Sequence, residues 1–317
     1  MISHFKRISA VIFSTFLFIN LANADLPKKL AISQIVAHPT LDKVRLGIID
    51  GLKAAGFTDH KNIIIDYQNA NGSMILASQI AKKFVSENNA VIIAITTPSA
   101  QTVANVAKSV KSDIPIIFAT VTDPVKAKLV SSYEHPGGNI TGTSNPSAIA
   151  QQLALLKKFL PDIKSLGLAI NFSEVNSVEL LSQVKQEAKK MNIEVVTVAA
   201  SNSSDIPLVA KNLASKVQAV FLLQDNTVAS ALPAFMKVMN KNHVPVFASF
   251  MEAIDQGAVA AMAYDEYQIG IQTGNMAAKV LNGIKPRDIP VESPIKLDLI
   301  INKEVAQKLN LQIPLIN

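Results

Sequence analysis

Apolar residues in this chain fall into short continuous runs, each followed by a polar turn and then by a segment with helical spacing. The clearest example is Ala90–Ala119. It reads as a strand (90–95), the turn Thr96-Thr97-Pro98-Ser99, a helix (100–111) and a second strand (114–119). Continuous rather than alternating apolar runs mark strands buried on both faces, as in a parallel sheet covered by helices. The unit has an echo of the same length and order at Ala219–Ala248: strand 219–223, turn Gln224-Asp225-Asn226-Thr227, helix 228–240, strand 244–248. Two βα lobes are therefore predicted, each presenting polar turns at the C-terminal ends of its strands.

The rest of the chain extends the alternation. Strands are expected at 30–36, 63–67, 140–144, 166–170, 195–198, 259–263 and 295–301. Helices are expected at 41–55, 74–85, 125–132, 148–160, 177–191, 206–214, 268–281 and 303–309. The helix at 41–55 shows the spacing well, with Leu41, Val44, Ile48, Ile49 and Leu52 on one face. The pattern restarts near Asn145-Pro146. Throughout, the alternation predicts an α/β protein of two doubly wound parallel-sheet lobes. The expected division is 25–144 plus about 270–290 for the first lobe and 145–269 plus about 291–317 for the second, with further crossings near 268–272 and 286–294.

One apolar run stands apart. Ile8–Leu21 follows His4, Lys6 and Arg7 and precedes Ala22-Asn23-Ala24. That is a basic region, a short hydrophobic region and an A-x-A site, so a signal peptide at 1–24, cleaved after Ala24, is expected. The run is shorter than the about 20 residues of a membrane span. An exported chain retained in the periplasm follows. Cysteine is absent, which removes disulfides, thiolate metal sites and a lipid-modified cysteine. The formal charge of +6 falls to +4 without Lys6 and Arg7, and the basic residues are scattered, so no nucleic-acid partner is expected.

Ligands of open α/β sheets bind beyond the C-terminal ends of the strands, so the turns there supply the candidate site. From the first lobe these are His38, Thr96, Thr97, Ser99, Asp123 and, at the restart, Asn145. From the second they are Glu174, Asn176, Asp225, Asn226, Phe250 and Tyr264. Thr97-Pro98-Ser99 has the form of a helix start with a Thr cap and Pro at the first position, where free N–H groups suit a carboxylate. Asp123, Glu174 or Asp225 offers charge for an ammonium. Thr97 and Asp225 read equally well as plain N-caps. Catalytic signatures are missing: there is no G-x-S-x-G, Walker A or H-E-x-x-H motif, and the five histidines include no i, i+4 pair. Neither an enzyme, a metal nor a cofactor is expected.

Several stretches together resemble a known group. They are Ser33–Asp42 (SQIVAHPTLD), Thr97–Gln101 (TPSAQ), Phe118–Pro124 (FATVTDP), Pro136–Gly142 (PGGNITG), Asn171–Ser177 (NFSEVNS) and Asp225–Val228 (DNTV). In this order they resemble the solute-binding proteins of ABC importers in the tryptophan-importer (TrpX-like) family. The resemblance implies a type I periplasmic binding fold with a three-crossover hinge. It further implies capture of a small polar solute, an amino acid and an aromatic one in particular, by hinge closure, and delivery by a monomer to an ABC permease in the inner membrane. A periplasmic sensor feeding a membrane receptor is the alternative, and a secreted enzyme using the cleft carboxylates a more distant one. Two positions depart from the pattern: Phe250 stands where an acidic or small residue is usual, and Glu266 where a Tyr is usual. Because the sequence contains no tryptophan, stacking on an aromatic ligand falls to Phe118, Phe172, Phe250, Tyr264 or Tyr267.

Overall fold

The computed structural model describes residues 27–315. The expected signal peptide lies outside the described residues. Two sheets organise the chain. The first is built from β1 (Lys28–Gln34), β2 (Ile63–Asn69), β3 (Val91–Ile95), β4 (Ile116–Val121) and β5 (Ile140–Ser144), in the order β2-β1-β3-β4-β5. The second is built from β6 (Ser165–Ile170), β7 (Glu194–Ala199), β8 (Ala219–Leu222), β9 (Val246–Ala248), β10 (Ala260–Tyr264) and β11 (Leu297–Ile301), in the order β11-β10-β9-β8-β6-β7. Apart from β11, which runs antiparallel to β10, all pairings are parallel. Read from the other edge, the second sheet repeats the first: β7-β6-β8-β9-β10 has the order of β2-β1-β3-β4-β5. The echo in the sequence is this repeat. Its two units are the adjacent pairs β3/β4 and β8/β9.

Helices cover both sheets. They are α1 (Pro39–Ala54), α2 (Met74–Ser86), α3 (Thr97–Ser109), α4 (Ile149–Phe159), α5 (Val175–Lys190), α6 (Ile206–Ala214), α7 (Asn226–Ser230), α8 (Leu232–Lys241), α9 (Glu266–Leu281) and α10 (Lys303–Lys308). The central strands β3 and β4 are buried at every position, as their unbroken apolar runs predict. Three expectations need correction. α3 starts at Thr97, so Thr96 takes the cap position and the Thr97–Ser99 segment is the helix's first turn. The single helix expected at 228–240 is two, because Pro233 lacks the N–H that continuing α7 would require and instead opens α8. The stretch 125–132 is a series of turns, with Lys128 at φ 58°.

The chain passes between the sheets after β5, after β10 and before β11. α9 follows β10 of the second sheet, yet packs on α1, β3, β4 and β5. Its approach to α1 is at backbone distance. Gly47 and Gly51 of α1 face Gly270 and Gly274 of α9, and a Cβ at Gly270 would sit 2.2 Å from the carbonyl oxygen of Val44. The crossing strands are laced where they meet. Ser144 N–H donates to the Glu292 carbonyl (2.8 Å), the Ser144 and Ser293 hydroxyls bond to each other (2.6 Å), and so do those of Thr143 and Thr273 (2.7 Å). Gly270→Ala is expected to force α1 and α9 apart and to destabilise the protein by about 1–3 kcal/mol. A thermal melt that matches wild type would contradict this packing argument.

Candidate functional site

The C-terminal ends of the two sheets face each other across one cavity. In sheets of this strand order the crevice opens where neighbouring strands lead to helices on opposite faces. Here that point lies between β1 and β3 in the first lobe and between β6 and β8 in the second, and both points open on the cavity.

From the first lobe come His38, Thr40 and Leu41 at the start of α1, Thr96 and Thr97 at the start of α3, and Thr120 and Thr122 at the end of β4. Asn145 and Glu266 enter from the two crossings. From the second lobe come Asn176 of α5, Gln224, Asp225, Asn226 and Ala229 around α7, and Phe250 after β9. Of the residues singled out in the sequence, His38, Thr96, Thr97, Asn145, Asn176, Asp225, Asn226 and Phe250 meet here.

Four do not. Asp123 is spent on its own turn: its carboxylate accepts from Val125 N–H (3.1 Å) and Lys126 N–H (2.9 Å) and pairs with the Lys126 ammonium. Glu174 lies behind the wall, where it accepts from the N–H and side chain of Asn226 and from the N–H and hydroxyl of Thr227. It braces α7 instead of closing on a ligand. Ser99 is buried in the first turn of α3 but off the cavity wall, and Tyr264 lines two other pockets beside β10. Among the described residues Phe250 is the single aromatic carbocycle on the cavity wall. Of the other aromatic candidates, Phe118 is fully buried and Phe172 is exposed, and Tyr267 bonds Asp50 (2.8 Å).

The polar wall holds unspent hydrogen-bonding capacity. Thr96 Oγ1, Asn145 Oδ1, Asn176 Oδ1 and both ring nitrogens of His38 are buried without a partner. A native interior seldom leaves such atoms unpaired, so this set can take up a polar ligand. Burial pulls the His38 imidazole down to about 4, which keeps it neutral. Thr96 has φ 79° and ψ 164°, a region that normally belongs to glycine and costs a threonine about 1–3 kcal/mol. The conformation is held by Thr96 N–H donating to Ala119 (2.9 Å) and Ala100 N–H donating to Thr96 (3.0 Å). The first-turn N–H groups of α3 have no partner inside the helix, and Thr97, the first residue of that turn, lines the cavity beside Thr96.

Among the described residues two carboxyls line the cavity. Asp225 caps α7 as the sequence allows, accepting from Val228 N–H (3.0 Å), and its other oxygen accepts from Asn171 N–H (2.7 Å). Burial, and next the Glu174 carboxylate, push Asp225 up to about 7. Glu266 was not among the site residues expected from sequence. It opens α9, accepts from Asn145 Nδ2 (2.6 Å) and from the Thr120 hydroxyl (2.8 Å), and is pushed up to about 8 by burial. Its position as a departure from the family pattern was the one signal for it. Thr40, Leu41, Thr120, Thr122, Gln224 and Ala229 were also missed.

Across the cleft rim the lobes touch directly. The Thr40 hydroxyl donates to Glu252 (2.8 Å), Lys43 pairs with the same carboxylate (2.7 Å), and Lys126 pairs with Glu179. Among the described residues no helix is long and apolar enough to cross a membrane.

Known proteins match this architecture over nearly the whole chain. The family model for the ABC transporter substrate binding protein matches residues 29–315. A tyrosine-binding protein of Clostridioides difficile (strain R20291) is 41% identical over 285 residues, covering 90% of this chain and 81% of the relative. A Streptococcus pneumoniae ABC domain solved in complex with L-Trp is 34% identical with a TM-score of 0.86, covering 91% of this chain and 96% of that one. A ligand-free, open substrate binding protein from Clostridium difficile is 38% identical with a TM-score of only 0.66, covering 90% and 96%. With its two-lobed α/β fold, and matched from β1 to beyond α10, the chain belongs to the ABC transporter substrate binding protein family.

Proposed function

We propose that this chain is exported and captures an aromatic L-amino acid, tyrosine or tryptophan, between its lobes, delivering it as a monomer to a membrane permease. The observation that carries the ligand class is the mixed lining of the cavity: Leu41, Ala229 and Phe250 supply apolar contacts, and buried hydroxyl, amide and imidazole groups without partners supply polar ones. An aromatic amino acid has one end for each. Its carboxylate belongs at the start of α3, against the Thr96 hydroxyl and the free N–H groups, where the helix dipole favours an anion. Its ring belongs against Phe250, which favours an offset or edge-on contact. The tyrosine named for one relative and the L-Trp held by another support the same choice. The basic, hydrophobic and A-x-A pattern at 1–24 supports export.

The lobes comprise 27–144 with 266–292 and 145–265 with 293–315, and the conformation described is the closed one. Direct contacts across the rim support this. So do the comparisons: at similar identity, the TM-score is 0.86 against the complex with L-Trp and 0.66 against the open, ligand-free protein. Closure is then a hinge motion about the three crossings, driven by the ligand's preference for the closed form.

In a thermal-shift screen of the common amino acids, L-tyrosine or L-tryptophan is expected to give the largest rise. At 100 times its dissociation constant the ligand stabilises by about 2.7 kcal/mol. Stabilisation by sugars or polyols alone would overturn the amino-acid reading. Thr96→Gly is expected to move stability and affinity in opposite directions. Relief of backbone strain raises the melting temperature, and loss of the hydroxyl weakens binding about tenfold. Unchanged affinity by calorimetry would remove Thr96 from the site.

A further inference from the structure

Within the cavity, Glu266 stands apart from every other acid. It is 8% exposed. Asp225 and Glu174 accept backbone N–H groups of their own lobe, so their bonds persist whether or not a ligand is present. Glu266 accepts only from two side chains of the cavity wall. The same Asn145 amide that donates to Glu266 also donates to the Thr120 hydroxyl (3.1 Å), which itself donates to the other Glu266 oxygen. The three side chains form a closed ring, and Asn145 Oδ1 projects from it, 2% exposed at the residue level and without a partner.

Among the described residues no lysine or arginine lines the cavity. The charged and titratable groups facing Glu266 are the neutral His38 at the start of α1, Glu252 after β9, Asp265 beside it in the chain and Asp225 of α7. Lys43 of α1 lines a neighbouring pocket together with Glu266, but its ammonium is engaged by Glu252 (2.7 Å). A buried carboxylate without a cation is strongly disfavoured, so the empty cavity is built one positive charge short. Asn145 and Glu266 also sit at two of the three crossings between the lobes. A cation held by Glu266 therefore sits against the hinge itself.

We propose that Glu266 is the specificity-determining acid of this protein: it receives the ligand's ammonium group at the hinge, and its carboxyl proton leaves for solvent as that group enters. This rests on the amino-acid reading above and sharpens it. The neutral Glu266 carboxylic acid and an aqueous ammonium become a carboxylate–ammonium pair, and one proton is released per ligand bound. Glu266 is held above its ordinary range by burial, to about 8, so release is expected at neutral pH. The sign for the unliganded protein follows from linkage. A carboxyl raised on folding stabilises while protonated, so its contribution is full below the unfolded value and is lost as pH rises through about 8. Ligand affinity runs the other way and rises with pH over the same window.

The test is isothermal titration of L-tyrosine, L-tryptophan and 3-(4-hydroxyphenyl)propanoate, which lacks the amino group, at pH 6.5 in two buffers of different ionisation enthalpy. Wild type is expected to release about one proton per amino acid bound. Glu266→Gln keeps an acceptor for Asn145, and it is expected to abolish the release and to weaken amino-acid binding about 100-fold at pH 8. Binding of the deaminated analogue should be unchanged or improved. The fall of the unliganded melting temperature between pH 6 and 9 should shrink in the variant. Should Glu266→Gln fail to fold, the proton count on wild type decides alone. Amino-acid binding by wild type without proton release overturns the proposal, as does full affinity in Glu266→Gln. Release that survives in Glu266→Gln but vanishes in Asp225→Asn overturns it in favour of Asp225. If neither amino acid binds wild type, the amino-acid reading itself fails and this proposal with it, an outcome distinct from the others.

Discussion

The backbone contact between α1 and α9 is the constraint on which the site depends. α9 leaves the second sheet and spends its whole length against the first. Without side chains at Gly47, Gly51, Gly270 and Gly274 the two helices approach to a distance that no Cβ tolerates. Close packing of this kind has two arrangements, formed or broken, and little in between. Because α9 begins at Glu266, the glycine contact fixes where that carboxyl lies relative to Thr120 at the end of β4. It also fixes the height of the second crossing against the first, where Asn145 reaches the same carboxyl. Packing one turn and more along α9 thus sets the geometry at the cavity wall.

The repeat of one strand order in both lobes explains why the cavity has two kinds of wall. Each sheet brings its own switch point to the cleft, so the fold dictates where side chains enter and leaves their chemistry free. The first lobe places hydroxyls there, Thr96, Thr97, Thr120 and Thr122, with a helix start behind them. The second lobe places acids there but satisfies them internally, through Asn171, Asn226, Thr227 and Val228. It adds Phe250 as the apolar face. A hydroxyl at Thr96 comes with a backbone conformation suited to glycine. The hydrogen bonds on either side hold the strain in place, and the reward is a polar group aimed where glycine would leave none.

The sheets were legible because their strands are unbroken apolar runs, and the lobes because one run of strand, turn, helix and strand recurs at 219–248. Helix starts were less so. Thr-Thr-Pro-Ser reads as a turn, yet Pro98 is also well suited to a first helical turn, and tertiary packing chose that. The site was legible as far as strand ends predict it, which found His38, Thr96 and Asp225. What pattern could not reveal was which acids would already be spent. Asp123 and Glu174 have the same side-chain chemistry as a ligand contact, and only the positions of Lys126, Asn226 and Thr227 around them show otherwise. Glu266 escaped notice for the converse reason. Its partners Thr120 and Asn145 lie 146 and 121 residues away, and the local sequence reads as an ordinary helix start after Asp265.

The contacts across the rim also bear on how closure is controlled. Lys43 and Lys126 are about half exposed, and exposed ion pairs contribute roughly 0–1 kcal/mol each. Moving a two-state equilibrium from mostly open to mostly closed takes about 5.5 kcal/mol. The rim pairs and the single Thr40–Glu252 hydrogen bond fall short of that, so they orient the lobes without holding them shut. The balance has to come from interactions that exist only when both walls grip one molecule. The unpartnered groups of His38, Thr96, Asn145 and Asn176 come from both lobes and from the crossing between them. A ligand that satisfies them on both sides gains those bonds only in the closed form. Weak rim contacts and strong, unsatisfied cavity contacts are the combination that leaves an empty protein free to open and a filled one closed.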